Sequence, residues 1–132
     1  MTEKKILITG AGGFIGAHLL NELKKRGKQT VAYYEDVLKP ISTKEDIGTV
    51  IHLAARVSRE KQQIDKEVYE TNFIGTINVL EFCKEKKAKL IFASSCTVYG
   101  NPQTMPVRED CPPSHLAPYA TAKLAAEYAC QD

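Results

Sequence analysis

Two residues four apart near the end of the chain, Tyr119 and Lys123, raise the first chemical question. On a helix they share a face. A phenol with an ordinary pKa near 10 is a poor base at neutral pH. An ammonium beside it stabilises the phenolate and makes such a pair able to move a proton on and off an alcohol oxygen. Upstream, Ser94-Ser95-Cys96-Thr97-Val98-Tyr99-Gly100 gathers hydroxyls behind an apolar run, and a serine there can hydrogen-bond the same reacting oxygen. Each spacing alone arises by chance in many helices and loops. Together they suit hydride removal from a carbinol carbon, which needs a base for the hydroxyl proton, a donor for the oxyanion and an acceptor alongside.

A place for that acceptor lies at the other end of the chain. Thr9-Gly10-Ala11-Gly12-Gly13-Phe14-Ile15-Gly16 stands between an apolar run and a helical pattern. Its spacing is G-x-x-G-x-x-G through Gly10, Gly13 and Gly16. Glycine there lets backbone amides approach a pyrophosphate and lets the helix pack closely on a sheet. The amides that open the helix then receive the negative charge. A dinucleotide site also needs an acidic residue after the second strand for the adenosine ribose, and Glu35 and Asp36 are the candidates; a solvated turn is the other reading of the same pair. The absence of Arg or Lys beside them favours NAD, with NADP not excluded.

The elements that must position these groups alternate. Ile6–Thr9 and Thr49–Ala55 read as buried strands, and Thr30–Tyr34 and Lys89–Ala93 as the other two strands. Phe14–Arg26 reads as a helix with Ile15, Leu19 and Leu23 on one stripe and Gly27 closing it. Ile64–Lys87 reads as a long helix with Val68, Gly75, Val79 and Phe82 inward, and Pro118 to Gln131 as the last helix. Between Glu35 and Gly48 there is room for a stub of strand and a helical turn near Ser42. From Gly100 through Pro118 itself, five of the six prolines mark a loop. The alternation predicts one α/β domain, residues 1–132, with a parallel sheet.

Composition limits the alternatives. Eighteen Lys and Arg against sixteen Asp and Glu leave a net charge of +2, too near balance to argue for nucleic acid or an anionic membrane. No apolar run reaches bilayer length. Cys83, Cys96, Cys111 and Cys130 form no C-x-x-C pair, which argues against zinc, and disulfides are not expected. The Lys pair followed by Ile6-Leu7-Ile8 imitates a signal peptide, but glycines interrupt it and no cleavage site follows, so a cytoplasmic location is expected.

The chain closely resembles the extended short-chain dehydrogenases/reductases, the NAD-dependent epimerase/dehydratases that act mainly on nucleotide sugars. The likeness is carried by Thr9–Gly16, His52-Leu53-Ala54-Ala55, Asn72-Phe73-Ile74-Gly75-Thr76, Ser94–Gly100 and Pro118-Tyr119-Ala120-Thr121-Ala122-Lys123. It implies a Rossmann-like doubly wound sheet, shortened between strands two and four and lacking the C-terminal substrate domain. It further implies Tyr119 as catalytic acid/base, Lys123 as holder of the nicotinamide ribose, and Ser95 as the substrate-hydroxyl partner. By the same likeness Gly10, Gly13, Phe14, Ile15, Gly16, Leu53, Ala54 and Ala55 line the cofactor's path, Asn72 braces the site, and His52 is a strand residue. A homodimer is implied as well.

The sequence departs from the family in three places. The usual strand-two acid aligns with Tyr34, the stretch from Asp36 to Gly48 is short, and the chain stops at Asp132, just past the Tyr-Lys helix; Ser95-Cys96-Thr97, besides, stands where 4,6-dehydratases resemble Thr-Asp-Glu. This last difference points to the epimerase and reductase branches. Two functions stay open at this point: an NAD-dependent nucleotide-sugar epimerase or related oxidoreductase, and a non-catalytic NAD(P)-binding module.

Overall fold

Four runs of β-branched and aliphatic residues pair side by side in the computed structural model, which describes residues 4–57, 64–114 and 117–131. The strands are β1 (Lys5–Thr9), β2 (Thr30–Tyr33), β3 (Ile47–His52) and β4 (Lys89–Phe92). They form a parallel sheet in the order β2-β1-β3-β4. Side chains alternate between its faces. Ile8 joins Ala11 and Leu20 on one face, where α1 (Phe14–Lys25) packs. Leu7 and Val50 join Val79, Phe82 and Cys83 on the other. The sheet is therefore doubly wound, with the reversal of strand order at β1 opening a crevice beyond the carboxyl ends of β1 and β3.

The long helix comes in three parts: α2 (Lys66–Tyr69), a π-helical turn (Glu70–Ile74) and α3 (Gly75–Lys86). Asp65 caps it by accepting from the Val68 amide, so it begins two residues later than the pattern predicts. α4 (Pro118–Gln131) packs against α2 and the π turn. Between β4 and α4 comes a 3₁₀ turn (Cys96–Tyr99), then an irregular loop whose Ser114 amide donates to the Val98 carbonyl. His115 and Leu116 of that loop lie outside the described residues.

Three expectations are corrected. No strand stub or helical turn forms near Ser42. The short connection is instead pinned by Val37 and Ile41, both in the core, by Asn78 donating to the Val37 carbonyl, and by an Asp36 side chain accepting from Leu38. Strand three runs Ile47–His52, two to three residues earlier than predicted, because β1 supplies partners from Lys5 onward. Ile15 is 65% exposed, since the first turn of α1 overhangs the end of the sheet; Leu19, Leu20 and Leu23 form the packed stripe.

Candidate functional site

The turn from β1 into α1 is held in a shape that side chains would destroy. Gly10 has φ +66°, and a Cβ there would lie 2.7 Å from the Ala54 amide nitrogen, where the chain leaving β3 crosses it. A Cβ on Gly16 would lie 2.3 Å from the Gly10 carbonyl oxygen. Gly13 precedes the first helical residue, contributes no capping side chain, and is followed by no acidic residue in the first turn. The opening amides of α1 thus face outward with the positive end of the helix dipole. Tyr34 lies alongside, its ring 3.5 Å from the position a Cβ would take on Gly12.

The ends of the strands are tied together by a chain of buried hydrogen bonds. Thr9 Oγ1 lies 2.6 Å from His52 Nδ1, and His52 Nε2 lies 3.1 Å from Thr76 Oγ1. Thr76 donates its only hydroxyl proton to the Asn72 carbonyl at 2.7 Å. Thr76 can therefore only accept from His52, which must carry its proton on Nε2 and accept at Nδ1 from Thr9. Thr9 Oγ1 accepts in turn from the Leu53 and Ala54 amides, both at 3.2 Å, and so positions the chain that crosses Gly10. Burial, reinforced by the Lys123 charge, holds His52 neutral by pushing its pKa down to about 4.

Asn72 fixes the same crossing one step further on. Its amide nitrogen donates to the Arg56 carbonyl at 2.7 Å and the Val68 carbonyl at 2.9 Å, and its oxygen accepts from the Arg56 amide at 3.0 Å. The π turn carries Asn72 inward, where it is 1% exposed.

Beyond β4 the hydroxyls diverge. Ser94 donates to the Glu127 carboxylate of α4. Ser95 Oγ accepts from the Thr97 amide at 3.3 Å and the Thr97 hydroxyl at 2.9 Å, capping the 3₁₀ turn and keeping its own proton available to donate. From α4, half-buried Tyr119 and almost fully buried Lys123 reach the same space. Burial lowers the Lys123 pKa to about 8, with Cys130 and Glu127 opposing the shift.

A cavity of about 410 Å³ joins these parts. Its lining includes Gly10, Gly13, Phe14, Ile15 and Gly16 of the glycine loop, Leu53 and Ala55 after β3, and Tyr119 and Lys123 of α4. The structure thus brings the glycine loop and the Tyr-Lys pair into one space. Ala54, Ser95 and Asn72 lie outside the lining, Ala54 and Asn72 supporting it from behind. Glu35 and Asp36 are exposed beyond it. Val57, Ala93 and Ser94 also line the cavity. Ser94 was legible as the neighbour of Ser95, whereas nothing in the sequence marks Val57 or Ala93.

The model of the NAD dependent epimerase/dehydratase family matches residues 6–132. The chain belongs to this family. As an epimerase/dehydratase family member it is 30% identical to a UDP-glucose 4-epimerase of Dictyostelium discoideum over 98% of its own length and 47% of that protein's. A UDP-galactose 4-epimerase structure superposes with TM-score 0.85 at 29% identity, covering 96% of this chain and 50% of that one. The structure of MoeE5 in complex with UDP-glucose and NAD superposes with TM-score 0.82 at 30% identity, over 96% and 48%. The chain spans about half the length of the curated relatives it matches. Among the described residues no three His, Cys, Asp or Glu side chains cluster as for a metal, all four cysteines are free, and no helix is long and apolar enough to cross a membrane.

Proposed function

We propose that the chain binds NAD in the cavity at the ends of β1 and β3 and carries the proton-transfer residues of a nucleotide-sugar 4-epimerase or related oxidoreductase. The carrying observation is that one cavity is lined both by the glycine loop and by Tyr119 and Lys123. The fit is supported by the tight β1–α1 turn, where a Cβ on Gly10 or Gly16 would clash with the backbone of Ala54 or Gly10, and by the uncapped start of α1. Gly10, Gly13 and the opening amides of α1 would hold the pyrophosphate, Leu53 and Ala55 would line the cofactor's path, and Lys123 would hold the nicotinamide ribose. When bound, the cofactor supplies a hydride acceptor and donor.

The remaining steps belong to side chains. Tyr119 takes the proton from a sugar hydroxyl and returns it, with Lys123, one turn further along α4, lining the same cavity. Ser95 donates its free hydroxyl proton to the same oxygen, its lone pairs being held by Thr97. Glu35 and Asp36, next to Tyr34, are the groups nearest in sequence for the adenosine ribose. The half-exposed Ile74 and Tyr128, on the π turn and α4, support a homodimer through these helices, checked by sedimentation at on the order of tens of micromolar protein. A cytoplasmic location goes with the same reading.

Conversion of UDP-galactose to UDP-glucose tests the proposal. Turnover should fall at least about 100-fold in Tyr119→Phe while NAD affinity stays within about twofold. Ser95 lying outside the cavity lining favours a second reading, a dinucleotide-binding module without turnover. Binding with no turnover on a panel of nucleotide sugars would select that reading, and absence of NAD binding would overturn both.

A further inference from the structure

We propose that Phe92 is a positioning residue: the face of its ring, presented in the row of side chains that ends the sheet, holds the Lys123 ammonium in the cavity beside Tyr119. The inference rests on the reading of Lys123 as a cofactor-site residue. Thr9, His52 and Phe92 are register partners on β1, β3 and β4, so their side chains stand on one face of the sheet, the face on which α3 and α4 lie. The His52 and Phe92 rings are 5.8 Å apart between centroids. Lys123 Nζ stands 4.3 Å from the Phe92 centroid, well inside the distance of about 6 Å over which a ring quadrupole attracts a cation.

Lys123 has few other means of support. It is 2% exposed, and among the described residues no carboxylate lies within ion-pair distance of it. The titratable groups facing it are His52 from β3, Glu127 and Cys130 further along α4, and Tyr119 one turn earlier. His52 stays neutral because burial, with the Lys123 charge second, disfavours its cation. The Glu127 carboxylate is engaged by Ser94. Among the described residues the Phe92 ring is thus a close attractive contact for the ammonium, and a ring face accepts none of its N–H groups in the way an oxygen would, leaving them for a bound ribose. A carboxylate in its place would hold the charge equally well but would occupy those donors.

The test separates the ring's electrostatics from its bulk. Lysines are reductively methylated with ¹³C, the Lys123 resonance is assigned by its loss in Lys123→Arg, and its titration is followed by NMR without cofactor. In Phe92→Leu the Lys123 pKa should fall by roughly half a unit or more, and in Phe92→Tyr it should return to the wild-type value. NAD affinity near pH 8 should weaken in Phe92→Leu and recover in Phe92→Tyr. Trifluorophenylalanine at position 92 keeps the shape while cancelling the quadrupole and should behave like Phe92→Leu; it decides the matter should Phe92→Leu fail to fold. An unmoved Lys123 titration in the fluorinated protein, or in a folded Phe92→Leu, overturns the proposal. A wild-type chain that binds no NAD overturns the cofactor reading alone, because the NMR titration needs none.

Discussion

The buried hydrogen-bond chain makes acid stability depend on one histidine. His52 is 1% exposed and accepts at Nδ1 from Thr9, whose oxygen already accepts two backbone amides. A second proton on the ring would face an oxygen with no capacity left for it, and would strand the Thr9 proton. Burial, with the Lys123 charge second, lowers the pKa from an ordinary 6.5 to about 4. Between those values the unfolded chain binds a proton that the folded chain refuses. The folded state is therefore fully favoured above pH 6.5 and loses stability as pH falls toward 4. Each pH unit costs about 1.4 kcal/mol, and the whole window about 3 kcal/mol. His52→Gln cannot titrate, yet its amide can donate to Thr76 and accept from Thr9. Urea unfolding followed by circular dichroism at half-unit steps from pH 7.5 to 4 measures both proteins. Exposed carboxylates affect the two alike, so they cancel in the difference. The wild-type advantage over His52→Gln should shrink by about 3 kcal/mol across the window. A gap that stays constant would refute the neutral, doubly bonded histidine.

Other outcomes follow from the same geometry. Gly16→Ala forces a methyl to within 2.3 Å of the Gly10 carbonyl, so the β1–α1 turn must move; stability should fall by about 1–3 kcal/mol and NAD affinity at least tenfold, read by denaturation and calorimetry. Asn72→Ala removes three bonds, two of them to the backbone of Arg56. It should cost about 1–3 kcal/mol and abolish hydrogen-exchange protection of the Arg56 amide; retained protection would contradict the bracing role. Because burial lowers the Lys123 pKa to about 8, NAD affinity should decline as pH rises from 7 through 9, and should be flat over that range in Lys123→Ala.

Much of the fold could be read directly because its signals are local. Leu7, Ile8 and Val50 lie buried in short apolar runs, with Ile51 partly buried beside them, and the change of period after Gly13 marks α1. The glycine loop and the Tyr-Lys spacing were legible for the same reason, since each needs only neighbours in sequence to be recognised. What escaped depends on tertiary contact. Val37 and Ile41 look like loop residues until the sheet and α3 give them a core to enter. The bond chain from Thr9 through His52 and Thr76 to Asn72 joins β1, β3 and the long helix, and no spacing announces it. The π turn that carries Asn72 inward is likewise invisible to a 3.6-residue pattern. Phe92 reads as an ordinary strand aromatic until α4 brings Lys123 over its face.

The central claim is that the cavity joining the glycine loop to Tyr119 and Lys123 is a nicotinamide dinucleotide site. Isothermal calorimetry of NAD into the purified chain at pH 7 tests it most directly, with Gly16→Ala as the comparison. One site per chain, a dissociation constant on the order of micromolar, and at least tenfold weaker binding by Gly16→Ala are predicted. No binding at about 1 mM NAD, or equal binding by the two proteins, would contradict it.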